Sequence, residues 1–481
     1  MITIPERNPG GWEFRTGGTG LRRMNDSPLA WAAAEFGDAQ LGDHRRTRRL
    51  VAMGATIAGQ PAGRITRAFT NGAEREAAYR LVENGGFSAT AIAASIHAAA
   101  ARRAADYPRI VVPIDGVAFT MVYQGKGFGP ICNKVHGNGV HAMTALALTP
   151  QGVPLGILSH VWWTRSTKPA PAYATDKRPV AQRESGHWLT AITQATSALH
   201  QHAPTTKPWF QLDRGGDCAD VLLHALHLGA DVTVRACYDR VVTGGKLWAK
   251  AASGTFLGTY LLRVAKPGAR PRLATIAVRV REVELHLRPG PMSRGPVHLT
   301  KMRVVEARER KGGKQRVLWR LLTTLPVTTF AEAREVIAAY TRRWRIEEFH
   351  LAWKSGACGI EFSWLRQREH FFKWATLLSA VAARLERIRL LSRTEPERNA
   401  LDEFSQDEID AAIALRKPKG VPLGAQPTLG EMTRWVADIG GYTGKSSGGP
   451  PGIRVITRGF DRVEAAAVAV ASLRKDRRSR G

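Results

Sequence analysis

The stretch YTRRWRIEEFHLAWKSG, at 340–356, combines side-chain types that phosphate chemistry uses. On an ideal helix, which turns by about 100° per residue, Tyr340, Arg343, Glu347 and Lys354 fall within an arc of about 60°. Two cations and a phenol would then flank one carboxylate along a single helix face. Because Arg343 and Glu347 are four residues apart, a surface ion pair worth ~0.3–0.5 kcal/mol is the simpler explanation of the spacing alone.

Two aspartates elsewhere in the chain change that balance. Asp115 follows the apolar run IVVPI and Asp213 follows WFQL, so each lies near the C-terminal end of a predicted strand. Taken singly, such an aspartate more often caps a turn. Three carboxylates converging from two strands and a helix would repel one another and bind hard divalent cations such as Mg²⁺. Two such ions can hold the attacking and leaving oxygens of an in-line phosphoryl displacement.

The charge of the chain indicates an anionic partner. Its 481 residues include 70 Lys and Arg against 41 Asp and Glu, for a net charge of +29. Such an excess repels itself unless anions neutralise it, and a nucleic-acid backbone offers dense, regular negative charge. An anionic membrane surface and simple solubility are the alternatives, and the wide spread of the basic residues favours nucleic acid. The length predicts two to four domains.

The cysteines and the apolar runs predict a cytoplasmic protein without a membrane span. The four cysteines lie far apart, and no CxxC spacing supports a zinc site. The N-terminus has no apolar stretch typical of a signal peptide. The run WATLLSAVAA, from Trp374 to Ala383, is about half as long as a membrane span requires.

The first part of the chain is predicted to be helical and basic. Residues 1–27 are rich in Gly, Pro and Arg and are expected to be flexible, whereas a helical pattern begins near residue 29. A helix from about Asp43, its expected N-cap, carries four closely spaced arginines. A solvated helix face is the ordinary explanation of such a cluster, but its density favours contacts with DNA phosphates. These arginines are Arg45, Arg46, Arg48 and Arg49.

The middle of the chain predicts a mixed sheet. Arg109–Ile114 reads as a strand, and His141–Arg165 as two strands joined at TPQG. A helix through GHWLTAITQATSALHQH precedes the strand that ends at Asp213. Residues 231–326 form a β-rich block, and a helix begins near Ala331. Beyond that, an Ala- and Val-rich helix is predicted at about 460–473.

These motifs resemble those of a known family. The stretch at 340–356 resembles the Tyr-(2)-Arg-(3)-Glu-(6)-Lys signature of the DDE transposases of the insertion-sequence-four family, in particular its transposon-five branch. Asp115 in PIDGVAFT, Asp213 in DRGGD and Glu347, the first of two adjacent glutamates, match the three acidic residues of the family. LGDHRRTRRL and EREAAYRLVEN resemble its DNA-end-binding domain, and HVWWTR and ESGHWL resemble its catalytic core.

The resemblance implies an α/β fold with an RNase H-like mixed-sheet catalytic core. On this reading residues 1–27 are a flexible segment and 28–86 a helical DNA-end-binding domain. Residues 87–390 form the catalytic domain, with a β-strand insertion at about 231–326. Residues 391–481 form a helical dimerisation domain.

The resemblance also implies cut-and-paste DNA transposition. Asp115, Asp213 and Glu347 would be the catalytic residues and would bind two Mg²⁺ ions, for which Mn²⁺ can substitute. Water nicks the DNA at the transposon end, and the freed 3′-OH attacks the opposite strand to form a hairpin. A second water opens the hairpin, and the 3′-OH then joins target DNA. The implied partners are double-stranded DNA and a second copy of the chain, in association with the bacterial nucleoid.

Further DNA contacts are implied residue by residue. Tyr340, Arg343 and Lys354 match family residues that hold phosphates of the end DNA. Arg235, in VTVRACYD, matches an arginine that approaches the site. Trp319, in VLWRLLTT, matches a tryptophan that stacks on a flipped base, and any base offers a π-face for this. A tryptophan buried in the core of a strand is the alternative for Trp319.

Two other functions remain open at this point. One is a DNA-binding repressor or inhibitor that has lost transposition, and the other is a general RNase H-fold nuclease. The presence of all three carboxylates favours a catalytically active transposase. A general nuclease would cut without preference for an end sequence and would not join strands.

Overall fold

The computed structural model describes residues 28–122, 125–132, 135–165, 178–264, 272–290, 294–311, 316–444 and 450–479. The segment 1–27, predicted to be flexible, lies outside these residues. Within them, no helix combines the length and the apolar character needed to cross a membrane.

The N-terminal region is helical, as predicted. The predicted N-cap of the second helix is confirmed, because the Asp43 carboxylate accepts a hydrogen bond of 2.8 Å from the Arg45 backbone N–H. Asn71 caps the fourth helix in the same way. The helices are α1 (Pro28–Phe36), α2 (His44–Gly59), α3 (Ile65–Ala68), α4 (Gly72–Glu83) and α5 (Ala89–Ala104).

In the described part of the chain, the strands form one mixed sheet in the order β2-β3-β1-β5-β6-β12-β11-β10-β7-β8, with β4 on β3 and β9 on β10. β1 is parallel to β5, β5 is parallel to β6, and the other pairings are antiparallel. The strands are β1 (Arg109–Thr120), β2 (Gly129–Cys132), β3 (Val135–Leu148), β4 (Pro154–Trp163), β5 (Lys207–Leu212), β6 (Asp231–Arg235), β7 (Val241–Val242), β8 (Gly245–Lys246), β9 (Thr255–Val264), β10 (Arg272–Leu287), β11 (His298–Glu309) and β12 (Leu318–Thr323).

β1 is longer than the sequence predicted, so Asp115 does not lie at its end. The strand continues to Thr120 because β3 pairs with it as far as Thr120↔Gly139. The parallel pairing with β5 stops at Ile114↔Leu212. Asp115 therefore lies where one neighbouring strand ends and the other continues.

The predicted β-rich block is continuous with the central sheet. β6 runs parallel to β5, and β12 returns antiparallel to β6, with Leu321 opposite Arg235. β11 and β10 extend the same sheet outward. The predicted pair of strands joined at TPQG is confirmed by the antiparallel pairing of β3 and β4.

Helices pack on both faces of the sheet. Alternate residues of β1 divide between two cores: Ile110 and Ile114 lie in one with α6 and α7, whereas Val111 and Phe119 lie in the other with α9, α10 and α11. This is the period-2 alternation of a strand covered on both sides. The helices of this region are α6 (Gly186–His202), α7 (Ala219–His227), α8 (Leu247–Ala252), α9 (Phe330–Arg342), α10 (Trp344–Lys354) and α11 (Arg368–Thr394).

The single helix predicted across 340–354 is divided at Arg343. This residue keeps helical backbone angles (φ −51°, ψ −32°), but its N–H donates to the Tyr340 carbonyl, three residues back. Such a bond tightens the turn and re-aims the following helix. Tyr340 and Arg343 are accordingly buried, whereas the Glu347 side chain is 44% exposed. The predicted stripe is therefore not one evenly presented face.

α11 runs through the interior and contacts both the N-terminal and the C-terminal parts of the chain. Its Lys373 ammonium donates to the Val82 carbonyl at 3.2 Å, and the Trp374 indole donates to the Gly63 carbonyl at 2.8 Å. Further along, Arg387 pairs with Glu403 at 3.1 Å. The helices beyond it are α12 (Gln406–Arg416), α13 (Leu429–Ile439) and α14 (Ile453–Ser479), the last of which includes the predicted helix at 460–473.

Helix α14 also touches the N-terminal region. A Cβ added at Gly59 would come within 2.2 Å of the Glu464 carboxyl carbon, so any larger residue at this position would require the Glu464 side chain to move. Burial and the nearby Glu408 charge raise the pKa of Glu464 to about 7, although Arg384 acts in the opposite direction. The folded structure therefore disfavours the ionised form of Glu464, where α2 and α14 meet.

The Phe119→Ala variant should lose ~3–5 kcal/mol of unfolding free energy. Phe119 is fully buried, and its ring lies 4.7 Å from Trp353 and 6.0 Å from Phe371, so it joins β1 to α10 and α11. Phe256→Ala is the control, since Phe256 is 52% exposed, and it should cost less than ~1 kcal/mol. Equal shifts in chemical denaturation midpoints for the two variants would contradict this packing.

The Glu464→Gln variant should be more stable than the parent at pH 8 and equal to it at pH 4. Below the ordinary value of 4.5 the carboxyl is protonated in both the folded and unfolded states. Between pH 4.5 and about 7 only the folded state keeps the proton on Glu464. The parent therefore loses stability relative to the Glu464→Gln variant as the pH rises through this window. The gain at pH 8 should be ~1–3 kcal/mol. Glu397→Gln, at an exposed position, is the control, and thermal unfolding at both pH values is the measurement.

Candidate active site

The sheet register brings the two predicted aspartates together. Ile114 and Leu212 are paired across the parallel strands β1 and β5, and Asp115 and Asp213 are the next residue of each. Ile114 and Leu212 face the core under α6 and α7. Because side chains alternate along a strand, both aspartates are directed to the opposite face, on which α10 packs.

Backbone hydrogen bonds hold both carboxylates. The Gly116 N–H donates to Asp115 Oδ1 at 2.8 Å, and the Gly215 N–H donates to Asp213 Oδ1 at 2.7 Å. Asp213 thereby caps the short 3-10 turn at 214–216. Asp217, four residues further on, is fully buried and accepts from Arg240 and the Cys237 N–H, so it supports the loop and does not face the site.

Arg343 joins the third carboxylate to the first. Its Nη1 donates to Asp115 Oδ2 at 2.9 Å, and its Nη2 lies 3.5 Å from Glu347 Oε1. Burial opposes the charge on the guanidinium, but Asp115, Tyr340, Asp213 and Glu347 together raise the pKa of Arg343 above its ordinary value. One buried cation therefore lies among the three acids that the sequence selected.

Burial is the main influence on the charge of Asp115. Burial, Glu347 and Asp213 raise the pKa of Asp115 to about 7, against the lowering effect of Arg343 and the Gly116 N–H. Like charges that share a site raise one another's pKa in this way. Asp213 and Glu347 therefore each lie within electrostatic reach of Asp115.

The two adjacent glutamates of α10 have different surroundings. Glu347 is directed to the site and is 44% exposed. Glu348 points away, where its carboxylate contacts Arg389 at 2.8 Å and Arg345 at 2.9 Å. These two arginines lower the pKa of Glu348 despite its burial. The geometry thus separates Glu347, which faces the aspartates, from Glu348, which anchors α10 to α11.

Tyr340 and Arg235 lie beside Arg343. The Tyr340 side chain is buried within electrostatic reach of both arginines, and burial raises the pKa of its hydroxyl. Arg343 Nε is buried and has no hydrogen-bond partner among the described residues. This side of the site therefore presents clustered cationic donors, including one that is unused.

Lys354 and Trp319 lie further from the carboxylates. The Lys354 ammonium is 3.5 Å from Glu361, whose carboxylate also accepts a 2.6 Å hydrogen bond from the Thr120 N–H. Trp319 is only 6% exposed, and its ring lies 6.3 Å edge-on from that of Tyr340. In this arrangement Trp319 is packed like a core residue and has no ring face open for a base.

The four N-terminal arginines are not equivalent. Arg45, Arg48 and Arg49 are exposed along the start of α2. Arg46 is half-buried and donates to the Leu41 carbonyl at 2.9 Å. Exposed arginines can contact a phosphate directly, whereas Arg46 holds the turn before α2.

The donor set can be compared with what a metal ion requires. Among the described residues, no three acidic, histidine or cysteine side chains stand close enough together to hold a metal ion as they are. Arg343 takes up oxygens of Asp115 and Glu347 instead. The chemistry of the set still fits a hard divalent cation, because all three groups are carboxylates.

The sequence analysis did not identify the polar groups that fix α10 to the sheet. His350 Nε2 lies 2.8 Å from the Thr144 hydroxyl, and both residues are buried. Thr144 stands opposite Asp115 in the β1–β3 ladder. The helical spacing of His350 from Glu347 could have indicated a buried position, but its partner depends on the register of two distant strands.

Two family models match the ends of the chain. A transposase DNA-binding model matches residues 28–86, which comprise α1 to α4. A transposase Tn5 dimerisation-domain model matches residues 380–479, from within α11 to the end of α14. The three carboxylates lie between the two matched regions. The resemblance seen in the sequence is thereby confirmed at both ends of the chain, where the two matched domains support a Tn5-like transposase.

Proposed function

We propose that this protein is a cut-and-paste DNA transposase of the DDE type, with Asp115, Asp213 and Glu347 as its catalytic residues. The observation that carries the proposal is their convergence: the β1–β5 register sets the aspartates side by side, and Arg343 ties Glu347 to Asp115. The two matched domains support DNA binding and pairing of two copies. The parallel strands β1, β5 and β6 beside antiparallel β3 support an RNase H-like core.

The proposed reaction is phosphoryl transfer at the transposon end. Water attacks the phosphorus and releases the 3′-OH of the transposon strand, with the phosphate left on the flanking strand. That 3′-OH then attacks a phosphodiester of the opposite strand and displaces the 3′-oxygen of the flanking DNA, which closes the transposon end as a hairpin. A second water opens the hairpin, and the 3′-OH attacks a target phosphodiester. Two Mg²⁺ or Mn²⁺ ions bound by the three carboxylates would neutralise charge on the attacking and leaving oxygens.

The residues of the chain supply placement and charge in this proposal. Asp115 and Asp213 are oriented by backbone N–H groups, so their oxygens need little reorganisation. Arg343, Arg235 and Tyr340 donate to the non-bridging oxygens of the phosphate being transferred. Preorganised donors of this kind stabilise charge that develops in the transition state. Lys354 reaches a neighbouring phosphate.

DNA recognition is assigned to the N-terminal helices. Arg45, Arg48 and Arg49 are exposed at the start of α2, where they can pair with backbone phosphates. The net charge of +29 supplies the general attraction for DNA. α14, within the matched dimerisation region, is assigned to the contact between two copies.

One observation favours a second candidate, a catalytically silent DNA-binding inhibitor. Arg343 occupies oxygens of Asp115 and Glu347, and the described side chains hold no ready-made metal cluster. A protein locked in this state would bind ends without cutting them. Cleavage by the parent protein in Mg²⁺ separates the two candidates.

The Glu347→Gln variant should still bind end DNA but should cut it at least about 10³-fold more slowly than the parent. The change removes one charge at a half-exposed position, so the fold should persist. The substrate is the DNA flanking the gene of this protein, with cleavage and hairpins followed on denaturing gels and binding followed by mobility shift.

The adjacent Glu348→Gln variant is the matched control. Glu348 pairs with Arg389 and Arg345 away from the site, so its loss should lower the melting temperature and leave cleavage below that temperature largely intact. If Glu347→Gln cuts as fast as the parent, or if Glu348→Gln alone abolishes cutting, the site assignment is wrong.

The Arg48→Ala variant should weaken binding to end DNA. The logarithm of its association constant should also fall less steeply with the logarithm of salt concentration, by about 0.9, which is the value for one phosphate contact. Arg46→Ala should leave the slope unchanged and lower the melting temperature, because Arg46 bonds the Leu41 carbonyl. Fluorescence anisotropy over a range of salt concentrations measures both. An Arg48→Ala slope identical to that of the parent would exclude this phosphate contact.

A further inference from the structure

A buried hydrogen bond joins the helix that carries Glu347 to the strand beside Asp115. His350 Nε2 and the Thr144 hydroxyl are 2.8 Å apart, with 6% and 0% of the two residues exposed. His350 lies three residues after Glu347 on α10. Thr144 lies on β3, directly opposite Asp115. The hydrogen bond therefore joins the helix that carries Glu347 to the strand that is paired with Asp115.

The contact continues to the backbone of Asp115. The Thr144 hydroxyl lies 3.5 Å from the Asp115 carbonyl oxygen, to which it can donate weakly. With the hydroxyl hydrogen so directed, the Thr144 oxygen accepts from an N–H at Nε2 of His350. His350 is neutral, since burial, Lys354 and Arg343 lower its pKa to about 3. This link therefore adds no charge beside the acids.

Other contacts of α10 fix it in a different direction. The Trp353 indole donates to the Ala375 carbonyl at 2.9 Å, and Glu348 pairs with Arg389. Both contacts hold α10 against α11. The charged link between Asp115 and Glu347 passes through Arg343, which the proposed function also assigns to DNA phosphates. When phosphates engage Arg343, a neutral bond that phosphates do not compete for is needed to keep the two carboxylates at their separation.

We propose that Thr144 and His350 are a positioning pair that sets the separation of Asp115 and Glu347, and thereby the affinity of the site for divalent cations. The inference rests on the proposed function, because it concerns the same three carboxylates. Groups that orient metal-binding side chains typically alter metal affinity by about 10–100-fold when removed.

The chain offers a matched control in a second buried imidazole contact. His97 Nε2 and His160 Nδ1 are 3.2 Å apart and join α5 to β4. Burial lowers the pKa of both rings, so this pair is also neutral. Neither residue is paired with Asp115 or carried by α10. His160 is, however, paired with Thr144 in the β3–β4 ladder, and its ring centroid lies 5.8 Å from that of Trp353 on α10. Changing His97 alone therefore tests packing beside the pair while the Thr144–His350 hydrogen bond is kept.

The experiment compares Thr144→Val, which removes the hydroxyl at nearly constant shape, with Thr144→Ser, which keeps it. His350→Gln keeps an N–H donor on a side chain of similar reach, and His97→Gln is the control. The full-length protein is bound to a pre-cleaved end duplex, and Mn²⁺ binding is followed by electron paramagnetic resonance. Cleavage of intact ends, affinity for end DNA and melting temperature are measured in parallel.

Thr144→Val should weaken Mn²⁺ binding about tenfold or more and slow cleavage at limiting Mn²⁺, with end-DNA affinity unchanged. Thr144→Ser should restore both, and His350→Gln should retain more of each than Thr144→Val. His97→Gln should bind Mn²⁺ like the parent even if it melts earlier.

The failures of the two proposals are distinct. A parent protein that neither binds Mn²⁺ at the end complex nor cuts DNA would overturn the proposed function and this inference with it. A parent that does both, beside a Thr144→Val variant of equal Mn²⁺ affinity, would overturn the positioning role alone. The same conclusion would follow if His97→Gln weakened Mn²⁺ binding as much as Thr144→Val.

Discussion

The architecture around the site depends on holding three mutually repelling carboxylates together. The register of β1 and β5 fixes two of them on adjacent strands before any side chain is considered, and α10 brings the third. Repulsion and burial would separate the acids or protonate them, and the pKa of Asp115, raised to about 7, records that tendency. Arg343 offsets part of it by contacting Asp115 and Glu347 at once. In the proposed function a divalent cation would supply further positive charge at this site.

The rest of the molecule is built to keep α10 from moving in response to that repulsion. Behind it lies α11, whose buried Arg389 pairs with Glu348 and Glu386, and whose Ala375 carbonyl accepts from Trp353. Buried ion pairs contribute little net stability, but removing one partner is costly, so they disfavour alternative placements of the helix. The same α11 contacts the N-terminal helices α2, α4 and α5, and the C-terminal helices α13 and α14. Displacement of α10 would therefore disturb contacts that reach both matched domains.

Local sequence patterns predicted much of this arrangement. The predictions were wrong where contacts between residues distant in sequence determine the length of a strand or the burial of a side chain. Asp43 as an N-cap and the turn between β3 and β4 follow from residues close in sequence, and the structure confirms both. The full length of β1 could not be predicted from nearby residues, because the second half of the strand forms only through pairing with β3. Helical periodicity placed Tyr340 and Arg343 on a common face with Glu347, but the tight turn at Arg343 and the packing of Tyr340 against Trp319 bury them. The convergence of the acids and the Arg343–Glu347 pair could be predicted in outline, whereas the contact between Arg343 and Asp115 could not.

The place of Arg343 has a consequence for the order of events in the proposed function. A single guanidinium cannot satisfy two carboxylates and a phosphate equally well, and phosphate is the stronger competitor for a bidentate arginine when DNA is bound. As phosphate oxygens recruit Arg343, the oxygens of Asp115 and Glu347 that it contacts lose their counter-charge. The affinity of those oxygens for a divalent cation then rises. DNA binding and cation binding are in this way thermodynamically linked, and by the reciprocity of linkage a bound cation would strengthen the grip on the DNA end. In the proposed function, Arg343 and a divalent cation would therefore both bind at the site only when a DNA end is present. Without a DNA end, cation binding would be weaker and cleavage would be restrained.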